Sequence, residues 1–337
     1  MPHLARVKMA LALASLELSL VTAPRLWTTT PIDYSAANKY CSTYYGRSSY
    51  FPRDVSIEPI YDGRHGVLDD DDGKVSSASL SSCGFSLCTA PSSVTNWGSL
   101  KQLSEIYLPE LRKVIIDAYA DSAIVDVIFW NPMLRGEGWT ADGDHVSRTE
   151  TARTGIASMA HLDTDLIVFD GDADALARLI ERNRVEALME GQPAEGAPLT
   201  SRGRALTAAI RDGRRFAIVN AWRNIDEAPI GRAPLAVLAT RYPSGGSVVP
   251  EAVPCEETSR WYAYPHMRAD EVLLFTQYDR HIDRPADTWH CALPAVADAD
   301  APRRRSFELR CFVVFEESVE RSADRFAARP WRACNAG

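Results

Sequence analysis

Apolar positions along the 337-residue chain alternate between strand and helix periods, and these switches mark its elements. Val55–Tyr61 alternates apolar and polar residues and predicts a strand, and Ser82–Cys88 predicts a second short one. The rest of 24–100 is rich in Ser, Thr, Tyr, Pro and Asp. Leu100, Leu103, Ile106, Tyr107, Leu111, Val114, Ile115 and Ala118 then recur at helical spacing over 99–119. Pro109 interrupts them, so the expectation is a short helix leading into a longer one. Ala123–Trp130 is a β-prone run read as a central strand, ended by Asn131 and Pro132 and followed by a glycine-rich loop over 135–144. A strand is expected at 160–164, continuing through the apolar stretch 166–169. Amphipathic helices are expected over 172–190 and 200–211.

From 215 to about 317 the pattern is mainly β. Strands are predicted at 215–222, 233–238, 260–264, 271–276, 288–292 and 304–315. The pair 260–264 and 271–276 reads as a hairpin across the turn at 265–270. Closely spaced strands separated by turn residues predict an antiparallel sandwich or barrel with flanking helices, a mainly β, α+β class. The domain reading is an N-terminal extension (1–54), one domain (55–317) with helical insertions at about 99–119, 172–190 and 200–211, and a tail (318–337).

Composition narrows the function classes. The chain is 46% hydrophobic and 24% charged with net charge -8, and its one dense basic run is Arg303–Arg305. These features argue against a nucleic-acid partner. Seven cysteines without a C-x-x-C pair argue against a disulfide framework or structural zinc, and fit reduced thiols in the cytoplasm. Residues 9–23 follow Arg6 and Lys8 in the manner of a signal peptide, but Glu17 breaks an apolar run already short for a membrane span. The reading is a first structural element and no membrane partner. The Asp69–Asp72 run, between Gly66 and Gly73, reads as a solvated loop.

The candidate chemistry starts at Ala160-His161-Leu162-Asp163-Thr164. In a strand, His161 and Asp163 project from one face and Leu162 from the other. A second histidine would complete a two-histidine, one-carboxylate triad for Fe(II) with open positions for O2 and a cosubstrate. His290, on a late predicted strand, is that candidate. Arg304, with Ser306 beside it, offers a fork matched to the distal carboxylate of 2-oxoglutarate. Phe307, Leu309 and Cys311 would then form one face of this strand, and Arg304, Ser306, Glu308 and Arg310 the other, with Glu308 paired to Arg310. His281 and Asp283 repeat the H-x-D spacing, but they stand close to His290 in a proline-flanked segment read as a loop. His3, His65, His145 and His266 read as surface or turn residues.

Ile218–Arg223 followed by Pro234–Val237 resembles the N-x-W-R … P-L-A signature of the AsaB-type hydroxylase/desaturase family, which includes the fungal gibberellin desaturase and CmcJ-like proteins. Trp261 and Tyr262, Met267–Phe275, Tyr278 and Asp279, His290 and Arg304–Arg310 follow in the family's order. Cys83–Phe85, Tyr107–Glu110, Phe129 and Arg135 match more loosely. The resemblance spans roughly 55–317 and is densest over 216–315. It implies an Fe(II)/2-oxoglutarate-dependent oxygenase on a double-stranded β-helix, a cupin- or jelly-roll-like barrel. Such an enzyme would use O2 to hydroxylate or desaturate a small-molecule substrate in specialised metabolism. By matching position, His161, Asp163 and His290 would hold iron. Arg304 and Ser306, or alternatively Arg310, would anchor 2-oxoglutarate, while Asn220, Trp222, Arg223, Arg135 and Tyr262 would line or brace the pocket. The chain departs from the pattern at Thr276, at Trp289–Leu293 and at Ala239–Tyr242, so the substrate is not inherited with the family. Asp163 argues against halogenation, which needs a vacant position there. The alternatives are a cupin-like metal enzyme that does not use 2-oxoglutarate and a non-catalytic partner of a methyltransferase.

Overall fold

A computed structural model describes residues 24–36, 54–69, 74–139, 150–163, 173–191, 198–239, 260–281 and 288–318. The expected elements at 9–23 and 166–169 lie outside these residues. Two sheets carry the fold. The first runs β1 (Leu26–Asp33), β2 (Val55–Asp62), β10 (Arg260–Ala263), β9 (Leu235–Ala239), β12 (His290–Ala292). The second runs β5 (Phe85–Thr89), β11 (Glu271–Asp279), β8 (Arg214–Asn224), β13 (Arg305–Ser318), β6 (Ile124–Gly136), β7 (Ala152–Thr154). A small hairpin joins β3 (Val67–Asp69) to β4 (Lys74–Ser76). Most pairings are antiparallel; β10 with β2 and β6 with β7 are parallel. Strand β1 lies in the stretch read as an extension, yet it is hydrogen-bonded along its length to β2.

Side-chain alternation along β8 explains how the second sheet is covered. Val219 and Ala221 face outward into a cluster with Leu100, Leu103, Tyr107, Leu111 and Ile115. These come from α1 (Leu100–Gln102), the wide turn Leu103–Tyr107, and α2 (Leu108–Ala118), with Pro109 in the first turn of α2, where its missing N–H costs nothing. Phe216 and Ile218 face inward and meet Leu176, Ile180, Leu206 and Ile210 of α3 (Ala173–Asn183) and α5 (Ser201–Arg211). Further along the inner face, Trp222 joins Phe85, Phe275, Val237 and Tyr262, which come from both sheets. With both faces buried, β8 reads as a near-continuous apolar run, and its polar members therefore need explanation.

Four expectations are corrected. Strands 260–264 and 271–276 are not a hairpin, because β10 belongs to the first sheet and β11 to the second. The helix expected over 172–190 breaks at Arg184 into α3 and α4 (Val185–Glu190), since Arg184 takes an extended conformation and bridges Trp130. Strand β6 does not end at Asn131 and Pro132. Asn131 adopts a left-handed φ of 53°, and the register against β13 shifts between Glu308 and Arg310, so a bulge carries the strand on to Gly136. Strand β6 is also next to the sheet's edge rather than central.

Candidate active site

His161 and His290 meet through the backbone. Each donates its N–H to the other's carbonyl at 3.1 Å, forming an isolated antiparallel bridge. The expected strand at 160–164 is thus reduced to this bridge and one from Met159 to Asp33. Directly opposed residues of an antiparallel pair project their side chains to the same side. The two imidazoles accordingly lie with centroids 4.2 Å apart. Leu162 packs on the far side with Trp261, Trp289 and Cys291. Asp163 turns back toward the histidines, and among the described residues His161, Asp163 and His290 bring one donor atom each within 4.8 Å of one another.

The surroundings set the state of each donor. His161 Nδ1 lies 2.8 Å from the Met159 carbonyl and His290 Nδ1 3.3 Å from the Thr288 carbonyl. A carbonyl only accepts, so each Nδ1 carries the proton and leaves Nε2 as the lone-pair donor, the arrangement in which metal-ligating histidines are held. Burial, and then the neighbouring His161, push the His290 pKa down to about 3, which keeps the ring neutral. Burial pushes the Asp163 carboxyl up. The Arg310 charge and the Asn220 hydrogen bond outweigh it and hold the group well below the usual carboxylate range. Asn220 Nδ2 donates to Asp163 Oδ2 at 2.6 Å and Arg310 donates to Oδ1 at 2.5 Å. This donor set, two imidazoles presenting Nε2 and one ionised carboxylate, fits a divalent transition metal such as Fe(II).

The inward face of β13 presents Ser306, Glu308 and Arg310, while Phe307, Leu309 and Cys311 pack outward, as the alternation predicts. Arg304, just before this strand, is 3% exposed and stacks 5.3 Å from the Trp222 ring. It donates to the Ala233 carbonyl, but its Nε has no hydrogen-bond partner and it makes no ion pair among the described residues. Burial, and then the nearby Arg135, push its pKa down to about 9. Glu308 does not pair with Arg310. It accepts from Arg135 at 2.5 Å, while Arg310 is committed to Asp163. The bulge at Asn131 lies between the residues of β6 that oppose Glu308 and Arg310, and Arg135 stands beyond it. Ser306 Oγ lies 3.5 Å from the Arg135 carbonyl.

Asn220 and Arg310 therefore bond the carboxylate of the triad and Arg135 lies close enough to feel its charge, while Ser306 shares the inward face of β13 with Arg310 and Arg304 stands just before it. Trp222 and Tyr262 belong to the packed wall between the sheets. Arg223 does not join them. It shares the outward face of β8 with Val219 and Ala221, donates to the Ala90 and Ala269 carbonyls, and stacks over Trp97 and Tyr107. Strand alternation alone separates it from Asn220 and Trp222. Two residues that the sequence reading passed over also belong to the site. Phe275 lies with its ring 4.7 Å from His290, and the buried Gln277 accepts from the Asp163 N–H. Of the competing pair, Asp283 lies outside the described residues.

Comparison with known proteins bears out the resemblance. Residues 201–314 match a family model described as an oxidoreductase/YMDC permease-like domain. The chain is 37% identical over 115 residues to the alpha-ketoglutarate-dependent dioxygenase phiK of Fungal sp. (strain ATCC 74256), covering 30% of this chain and 42% of that relative. It is 26% identical over 268 residues to the hydroxylase/desaturase efuI of Hormonema carpetanum, covering 71% of this chain and 79% of the relative. The match to phiK thus spans less than half of its length, whereas that to efuI spans most of it. Among solved structures, the iron and alpha-ketoglutarate-dependent endoperoxidase NvfI superposes with a TM-score of 0.51 at 17% identity, over 86% of this chain and 98% of NvfI. The chain shares that protein's fold.

Proposed function

We propose that this protein is a non-haem Fe(II)/2-oxoglutarate-dependent oxygenase that hydroxylates or desaturates a small molecule of specialised metabolism on a double-stranded β-helix. The domain that carries the site corresponds to 55–317, with strand β1 added to its first sheet. The observation that carries the reading is the convergence of His161, Asp163 and His290, with each imidazole's Nδ1 turned to a backbone carbonyl so that Nε2 is left for a metal. The relatives' names, which combine iron, alpha-ketoglutarate and hydroxylase/desaturase activity, support it.

His161 and His290 would hold iron through Nε2 and Asp163 through its carboxylate. Bound iron with 2-oxoglutarate and O2 supplies an oxidant able to cleave an unactivated C–H bond. The chain's own residues do the positioning. Asn220 and Arg310 fix the plane of the Asp163 carboxylate. Arg304, a buried cation without an ion pair among the described residues, receives the distal carboxylate of 2-oxoglutarate, with Ser306 beside it. The Arg135–Glu308 pair adds a fixed dipole to the wall.

The test is iron-dependent conversion of 2-oxoglutarate to succinate. The wild-type protein is expected to form succinate only with Fe(II) and O2. His161→Ala, Asp163→Ala and His290→Ala should each abolish it while leaving the far-ultraviolet circular dichroism spectrum unchanged. Succinate formation that survives all three substitutions would remove the assignment.

A further inference from the structure

Gln277 stands at an irregularity in β11. Against β8, Thr276 pairs with Val219 and Tyr278 with Ile218, so Gln277 is an extra residue in the ladder. A bulge of this kind re-aims the side chain it carries, and bulges concentrate next to active sites. The re-aimed side chain is 3% exposed, and both ends of its amide are used. Its Oε1 accepts the backbone N–H of Asp163 at 2.8 Å. Its Nε2 donates to the Thr288 carbonyl at 2.9 Å, the same carbonyl that faces His290 Nδ1. The amide's orientation is dictated by its neighbours, because the Asp163 N–H can only donate and the Thr288 carbonyl can only accept. One buried side chain thus links the backbone of the carboxylate ligand to the group that orients the distal histidine.

Leu162 packs away from the site, and among the described residues Asp163 makes no bridge of its own. Among the described residues the ladder therefore ties His290 to His161 and no ladder hydrogen bond reaches the Asp163 backbone itself. We infer that Gln277 is a positioning residue for the metal centre, a staple holding Asp163 and His290 at metal-binding separation. This rests on the iron reading above. Partners that hold metal ligands in this way typically change affinity by about 10–100-fold when removed.

The experiment measures Co(II) affinity by calorimetric titration of the metal-free protein and records the visible spectrum of the Co(II) form. Gln277→Met keeps the volume and removes both hydrogen bonds. Gln277→Glu keeps the acceptor for Asp163 and, in its ionised form, removes the donor to Thr288. The expected result is a dissociation constant raised about 10–100-fold by Gln277→Met, a smaller rise for Gln277→Glu, and altered Co(II) bands in both. The unfolding midpoint of the metal-free Gln277→Met protein should fall as well, because two buried hydrogen bonds are lost; the Co(II) bands are the readout that a purely structural role would not move. His290→Ala serves as the reference. If it abolishes Co(II) binding while both Gln277 variants bind like the wild type, the iron reading stands and the staple is refuted. If His290→Ala binds like the wild type, the metal assignment itself fails and the staple falls with it. If Gln277→Met does not fold, wild-type affinity and spectrum in Gln277→Glu alone overturn the inference.

Discussion

Arg304 and Arg310 show how one residue type takes different roles at nearby positions. Arg310 is neutralised by Asp163, whereas Arg304 is buried against Trp222 without an ion pair among the described residues. A charge-assisted contact contributes about 1.5–3 kcal/mol. Arg304→Ala should therefore raise KM for 2-oxoglutarate roughly tenfold to a hundredfold. Arg305→Ala should leave it near the wild-type value, because Arg305 is exposed and pairs with Asp226. Arg310→Ala should act on kcat more than on KM, since it frees the Asp163 carboxylate. Steady-state kinetics on the three variants decide the point. A large KM rise for Arg310→Ala with none for Arg304→Ala would transfer the cosubstrate role. The convergence of His161, Asp163 and His290 was legible in the sequence because their residue types and spacing mark them, and Arg304 stood out by its charge at the start of a predicted strand. Gln277 was not, since a lone glutamine in an apolar run becomes meaningful only through a bulge and two backbone partners.

Elements were legible where their periodicity was strong and local. Helix α5 begins where Thr200 can cap it, with Oγ1 accepting from the Gly203 N–H at 3.2 Å. Partner assignment was less legible, because which sheet a strand joins depends on packing that neighbouring sequence does not encode. Hence β10 and β11 looked like a hairpin. Strand β6 failed differently. A Pro usually ends a strand, but here a left-handed Asn131 absorbs the extra residue and lets pairing with β13 resume. A residue with a β-carbon and no local hydrogen-bonding group is disfavoured in that conformation by roughly 1–2 kcal/mol. Asn131→Val should lower stability by about that amount, and Asn131→Gly should be close to neutral. Chemical denaturation of the two variants measures the difference. Equal stabilities would mean that the bulge is not held in solution.

At the scale of the whole molecule, the site lies between two sheets, and its geometry depends on how they are tied. No helix among the described residues is long and apolar enough to cross a membrane. One tie is polar. Arg64, just after β2 of the first sheet, makes a bidentate pair with Glu271 of β11 in the second, at 2.7 and 2.8 Å. The Glu271 side chain is 5% exposed, and burial alone would push its pKa up. Hydrogen bonding from Arg64, with help from the Arg268 backbone N–H, outweighs burial and lowers the pKa below the ordinary 4.5. A carboxylate whose pKa is depressed by folding stabilises the fold above its unfolded pKa and loses that contribution as pH falls through the folded value. Arg64→Ala should therefore destabilise the protein at pH 7 by about 1.5–3 kcal/mol, the range for hydrogen bonds to charged groups. The gap to the wild type should persist down to about pH 5 and close below the unfolded carboxylate pKa of about 4. Taking the difference cancels the other depressed carboxylates, such as Asp163 and Glu308, which destabilise both proteins alike in acid. Thermal unfolding of the two proteins from pH 7 to pH 3 tests this. A gap that stays constant across the range would show that Arg64 acts through packing of its stem rather than through its charge on Glu271.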